Sequence, residues 1–178
     1  MSHTGHRPPP RSPLPVITGP AAHGRPEGDV PHGAEATWPR RTVELTSAQA
    51  LRLLGEVSFG RIVFTQQALP AIRPVNHVLD RGRIVIRTHQ DSDLFAQTRD
   101  HGDRGVVVAY QADAIDPLTH LGWSVVATGY CRPVTDPDAL IRYQRLIRPW
   151  SDRMMECAVH IRPHLVTGIR LAEGGGHG

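Results

Sequence analysis

From residue 59 to residue 171 the chain is cut into short stretches rich in Val and Ile, each bounded by turn formers, and this rhythm most limits the fold. Runs of that length and spacing read as an antiparallel sheet or barrel. They predict strands over 59–65, 70–79, 83–88, 105–112, 123–134, 157–162 and 165–171. Asp80-Arg81-Gly82 reads as a tight hairpin turn, with Gly82 free to take a positive φ. Three short helices fit around the strands. One covers about 46–56, where Thr46 and Gln49 have capping-box spacing and Leu51, Leu54 and Val57 recur at helical intervals. A second covers 91–99, and a third opens at Thr135 or Asp136, carries Pro137 in its first turn and stops before Pro149. Strands do not alternate with crossover helices and no GxGxxG follows a strand, which argues against a doubly wound dinucleotide fold. The expectation is a mainly β, α+β chain built on a six- or seven-stranded antiparallel barrel.

The flanks lack apolar residues that form a face. Residues 1–41, crowded with Pro, Gly and His, read as a disordered arm, 42–172 as the folded domain, and 173–178 as a flexible tail. His3, His6, His23 and His32 lie in that arm, which cannot pre-set metal-ligand geometry. No apolar stretch is long enough to span a membrane and no secretion signal opens the chain, so a soluble, cytoplasmic protein is expected. Cys131 and Cys157 are too few and too far apart for a disulfide framework, which fits a reducing compartment.

All twenty basic residues are arginine. Without lysine, neither a pyridoxal phosphate Schiff base nor a nucleotide P-loop is available. Arginine remains suited to phosphate, because its planar fork donates two parallel hydrogen bonds to one oxyanion. The net charge of +3 arises from arginines interleaved with seventeen acids, a pattern that argues for an ordinary solvated surface rather than a nucleic-acid footprint.

Three segments carry candidate chemistry. In Arg73-Pro74-Val75-Asn76-His77, Pro74 cannot donate to a ladder and belongs on an edge or at a bulge, while Asn76 offers the donor and acceptor that read a heteroaromatic edge. In Arg83-Ile84-Val85-Ile86-Arg87-Thr88, alternation puts Ile84, Ile86 and Thr88 on one face and Arg83, Val85 and Arg87 on the other. Arg87 and Thr88, followed by a helix start, form a phosphate cradle or else a surface arginine and an N-cap threonine. Trp123 and Ser124 open the longest strand, where the indole either covers a ring or plugs the core. His77 is an acid or base beside a ring, or a half-buried strand histidine. His160 and His164 flank a strand break and lack the further ligands of a zinc site.

Together these segments, with Gly60-Arg61-Ile62-Val63, Ala112-Asp113, Gly129 and Val166-Thr167-Gly168, resemble the split-barrel flavin-binding proteins similar to pyridoxamine 5'-phosphate oxidase, over about 46–171. The resemblance implies a split barrel that binds FMN at the interface of a homodimer and uses it for two-electron transfer to a small-molecule substrate. It implies that Pro74, Val75 and Asn76 lie along the ring system, that Arg87, Thr88 and Ser92 hold the phosphate, and that Trp123 and Ser124 of the partner chain complete the site. No side chain need act as an obligatory acid or base, no metal is implied, and neither nucleic acid nor membrane is an expected partner. Relatives often follow the Arg-Thr strand with Gly-Ser-Lys-Leu, where this chain has Asp91-Ser92-Asp93-Leu94. A deazaflavin or haem in place of FMN, or a binding protein without turnover, is the alternative expectation.

Overall fold

The computed structural model describes residues 40–148 and 155–174. Among the described residues there are seven strands, β1 Arg40–Glu44, β2 Phe59–Gln66, β3 Leu69–Asp80, β4 Arg83–Thr88, β5 Val106–Ile115, β6 Gly122–Pro133 and β7 Cys157–Glu173, with helices α1 Ser47–Glu56, α2 Asp93–His101 and α3 Pro137–Leu146. The sheet order is β1-β7-β4-β3-β2-β5-β6, and β6 pairs back onto β7, so six strands close into an antiparallel barrel with β1 added beside β7. This is the expected split barrel with short flanking helices.

Local chemistry accounts for most element boundaries. Thr46 caps α1 and Gln49 reaches back to the Thr46 N–H at 2.9 Å, completing the capping box. The buried face of α1 is Ala50, Leu53 and Leu54; of the predicted Leu51, Leu54 and Val57, Leu54 lies on it, Val57 packs against the core from the C-cap, and Leu51 is only half-buried. The β3–β4 turn holds Arg81 at φ 49 and Gly82 at φ 74, the two successive positive values that a two-residue hairpin with the sheet's own twist requires. Asp136 caps α3 through the Asp138 N–H, and Pro137 starts the helix where no intrahelical acceptor would be needed.

Two boundaries differ from expectation. β1 pairs Arg40 to Glu173 and Glu44 to Ile169, so Arg40 and Arg41 are strand residues rather than the end of the arm, and Glu173 belongs to β7 rather than to the tail. The rest of the arm lies outside the described residues. The two strands predicted over 157–162 and 165–171 are one. Thr128 pairs with Leu165 and Gly129 with Pro163, so His164 is the extra residue of a bulge that carries the strand past its proline.

The main core fills the barrel with Ile62, Phe64, Ile84, Ile86, Val108, Tyr110, Val125 and Ile161, closed at one end by Ala50, Leu53 and Leu54 of α1. A second, smaller core of Val85, Tyr143, Ile147 and Ala158 holds α3 against the outside of β4 and β7.

Candidate functional site

β3 and β4 pair only from Asp80↔Arg83 to His77↔Ile86. Beyond His77, β3 continues along β2, with Pro74 opposite Arg61 in unbroken register, while Arg87 and Thr88 keep only the pairing with β7, to Ala158 and Cys157, that β4 makes from Ile84 onward. Pro74 therefore sits on an edge and not at a bulge. It has no N–H with which to rebuild the ladder, and the two strands part.

The gap is a cavity of about 420 Å³. Arg73, Pro74 and Val75 form one wall, Ile86, Arg87 and Thr88 the other, and His89, Asp91, Ser92, Asp93 and Leu94 close one end. Ile62 and Phe64 lie on the lining and Met155 reaches it from the α3–β7 connection. Five of the eight predicted site residues, Pro74, Val75, Arg87, Thr88 and Ser92, thus share one cavity.

Ser92, not Thr88, is the N-cap of α2. Thr88 Oγ1 donates to Ser92 Oγ at 2.7 Å, and Ser92 Oγ also accepts from the Phe95 N–H at 3.2 Å. The Ser92 hydroxyl hydrogen remains available to donate, as do the N–H groups of Asp93 and Leu94 in the first turn, which have no intrahelical acceptor. These donors fit a phosphate. The Asp93 carboxylate is held aside, with Oδ2 accepting from Gln66 Nε2 at 2.6 Å, while Gln66 Oε1 accepts from Arg73 Nη2 at 3.3 Å.

Arg87 is mostly committed elsewhere. Its Nε donates to Met155 O at 3.1 Å, Nη2 to the same oxygen, and Nη1 to Ile147 O at 2.9 Å and Gln144 O at 3.4 Å. These contacts satisfy carbonyls that the end of α3 leaves free and tie them to the approach to β7. A guanidinium has five N–H groups, so about one, on Nη2, has no partner among the described residues. Burial lowers the Arg87 pKa from its ordinary value, although a guanidinium in this range keeps its charge.

The other predicted residues lie away from the cavity in this chain. Asn76 Nδ2 donates to Arg148 O at 2.7 Å, so Asn76 and Arg87 grip the same connection from two strands. Trp123 is buried in the barrel core, the plugging role rather than the covering one. Ser124 lines a separate hollow of about 390 Å³ with Glu44, Leu45, Val126 and Val166. His77 is fully buried: the Leu54 carbonyl can only accept, so His77 donates from Nε2 at 2.9 Å and accepts at Nδ1 from the Tyr110 hydroxyl at 2.7 Å. Its role is structural, and burial lowers its pKa. His160 faces a hollow beside α3, whereas His164 packs edge-on against Tyr130. Among the described residues no group of three or more His, Cys, Asp or Glu is placed to hold a metal.

Arg73, Gln66 and Phe64 were not anticipated. Alternation along β3 held the signal, since Ala71, Arg73, Val75 and His77 share one face and Ala71, Val75 and His77 point into the barrel. Arg73 continues that face to the cavity mouth, with its guanidinium carbon 6.0 Å from the Phe64 ring centroid.

Comparison with known proteins agrees with the fold. A protein of Mycobacterium tuberculosis, itself uncharacterised, is 50% identical over 132 residues, covering 74% of this chain and 87% of its own length. The solved FAD binding protein from Mycobacterium smegmatis is 25% identical with a TM-score of 0.54, covering 73% of this chain and 98% of that one. A conserved protein of unknown function from Corynebacterium diphtheriae is 26% identical with a TM-score of 0.57, covering 74% and 98%. Residues 46–170, which take in α1, the six-stranded barrel up to the last three residues of β7, and the cavity, match the family described as pyridoxamine 5'-phosphate oxidase, and the chain belongs to that family.

Proposed function

We propose that the chain binds a flavin, FMN in the first instance, in the cavity between β3 and β4, and that it works as a homodimeric oxidoreductase on a small-molecule substrate. The observation that carries this reading is the convergence of Pro74, Val75, Arg87, Thr88 and Ser92 on one cavity with the start of α2 at its end. The FAD-binding relative supports the flavin class. When bound, a flavin supplies hydride chemistry through its own ring. The chain's part is to orient and shield it. Pro74, Val75 and Met155 give accessible apolar surface for a ring, and Ser92 with the first N–H groups of α2 gives donors for a phosphate.

A second copy has a natural place. Val107, Val126, Tyr130, Leu165 and Ile169 are exposed large side chains on β5, β6 and β7, on the side of the barrel that also carries Ser124 and its hollow. Burying such a group is favourable on association. With Trp123 in its own core, Ser124 is the partner residue left to complete the neighbouring cavity.

The carboxylates of Asp91 and Asp93 on the cavity lining favour a second reading, a flavin, deazaflavin or haem binder without turnover. Two like charges ~4 Å apart cost about 1 kcal/mol in bulk water and more where water is excluded. The absorbance spectrum of the purified protein separates these readings: oxidised-flavin bands support the first and a Soret band supports haem. A colourless protein with no thermal shift on adding FMN overturns the proposal. Light scattering on the same sample tests the dimer.

A further inference from the structure

At the other end of β4 from the cavity, a hollow of about 350 Å³ opens between the β3–β4 turn, the end of β6 and one side of α3. Arg81 and Arg83 reach it from the turn, Arg142 from α3 and His160 from β7. Its carboxylates are Asp80 and Asp136, and both already have partners. Asp80 Oδ2 accepts from Arg142 Nη2 and from the Tyr143 hydroxyl, each at 2.6 Å, and Asp136 caps α3 by accepting from the Asp138 N–H at 3.1 Å. Arg81 and Arg83 have no carboxylate within ion-pair distance among the described residues.

Behind the hollow the positive charge continues. His160 is registered with Val85 on one side and Arg132 on the other, so Arg83, two residues from Val85, shares its face. Burial and the charges of Arg83 and Arg132 all lower the His160 pKa. Arg132 Nε is buried with no hydrogen-bond partner among the described residues. Like charges gathered around a half-buried imidazole repel, and an unpaired buried donor is costly. An oxyanion in the hollow relieves the repulsion, and arginine forks suit phosphate and carboxylate alike.

We propose that this hollow is a second ligand site, separate from the cavity between β3 and β4, for a small molecule bearing a phosphate or carboxylate group held by Arg81, Arg83 and His160. It does not depend on the flavin reading. The four residue steps from Arg83 to Arg87 along β4 span about 13 Å, so a compact ligand does not occupy both places.

The test follows the His160 ring protons of the full chain by NMR, assigned with His160→Gln, during titration with inorganic phosphate and separately with succinate, against chloride at equal ionic strength. The expected result is a saturable shift with one or both oxyanions and a rise in the pH at which His160 titrates. Response to only one identifies the oxyanion. Arg83→Gln is expected to weaken binding about tenfold or more, and Arg73→Gln, at the other cavity, to leave it unchanged. Should Arg83→Gln disturb folding, Arg81→Gln at the exposed turn is expected to weaken binding in the same direction. Shifts that chloride reproduces, or unchanged affinity in the folded turn variants, overturn the proposal.

Discussion

The two halves of the β3–β4 pair share strands and differ in almost everything else. From Asp80↔Arg83 to His77↔Ile86 the strands are zipped, and three of the side chains they send inward, Ile84, Ile86 and His77, are at most 1% exposed, while Leu79 packs partly buried beside them. His77, the polar member, has both ring nitrogens satisfied. Past His77 the strands separate, and the inward face carries Arg73, Thr88 and, just beyond, Ser92 and Asp93 around open space. Ordinary ladder pairing removes the room for a ligand along with the need for one. The barrel makes room where Pro74 cannot donate and β4 keeps its pairing with β7 alone, and there polar groups keep donors in reserve.

The sharpest way to break this contrast is at the sealed half. His77→Ala leaves the Tyr110 hydroxyl and the Leu54 carbonyl buried without partners and opens a void between α1 and β3, so unfolding in denaturant is expected to lose about 3 kcal/mol. His77→Gln, which keeps a donor, is expected to lose less. A loss under about 1 kcal/mol for the alanine variant would mean that the histidine network does not seal the barrel.

Arg87 stands at the border, and the next largest effect decides to which half it belongs. Its contacts run to carbonyls on both sides of the α3–β7 connection. Hydrogen bonds to a charged group are worth roughly 1.5–3 kcal/mol, so Arg87→Ala is expected to destabilise the ligand-free protein by about 2 kcal/mol. If the residue served chiefly as a phosphate ligand, ligand-free stability would stay level and only FMN affinity would fall. Measuring both on one variant separates the two roles.

A smaller effect comes from pH. Burial holds the His77 pKa below its unfolded value, so the unfolded chain takes up a proton first as pH falls. The stability tied to neutral His77 is complete above about pH 6.5 and is lost as pH drops below it, at no more than about 1.4 kcal/mol per pH unit for one group. His160, also lowered, adds in the same direction. Stability curves between neutral pH and about pH 5 are expected to flatten in His77→Gln. An unaltered slope would assign the titration to His160.

These two halves also differed in how far they could be read from sequence. The zipped half was legible: alternation placed Ile84 and Ile86 inside, and Asp80-Arg81-Gly82 fixed the turn. So was the content of the cavity wall, since Arg87, Thr88 and Ser92 lie on it. What the Arg87 guanidinium does there was not legible, because its acceptors lie 57 to 68 residues away, at the end of α3 and on the connection that follows it. β1 was missed for a related reason. Arg40-Arg41-Thr42-Val43-Glu44 has little apolar face, and it becomes a strand because the last turn of pairing on β7 offers it an edge. Pro163 misled in the opposite direction, since a bulge absorbs it. Long-range partners, invisible locally, settled each case.

Arg73 gives the smallest expected change in stability and the most direct test of the open half. It is exposed, its nearest partners are its own neighbour's carbonyl and Gln66, and it has no ion pair among the described residues. Arg73→Ala is therefore expected to shift unfolding by no more than about 0.5 kcal/mol, as surface substitutions usually do. Its charge, however, stands at the cavity mouth, joined through Gln66 to Asp93. Removing it leaves Asp91 and Asp93 less compensated, and an anionic ligand is then expected to bind about tenfold more weakly, with the difference shrinking as salt is raised. Because Arg87 spends most of its donors on carbonyls, the loss of affinity in Arg73→Ala should at least match what Arg87→Ala produces once its lower stability is taken into account. Equal stability with unchanged ligand affinity would remove Arg73 from the site and return the cavity's positive charge to the one N–H that Arg87 has left.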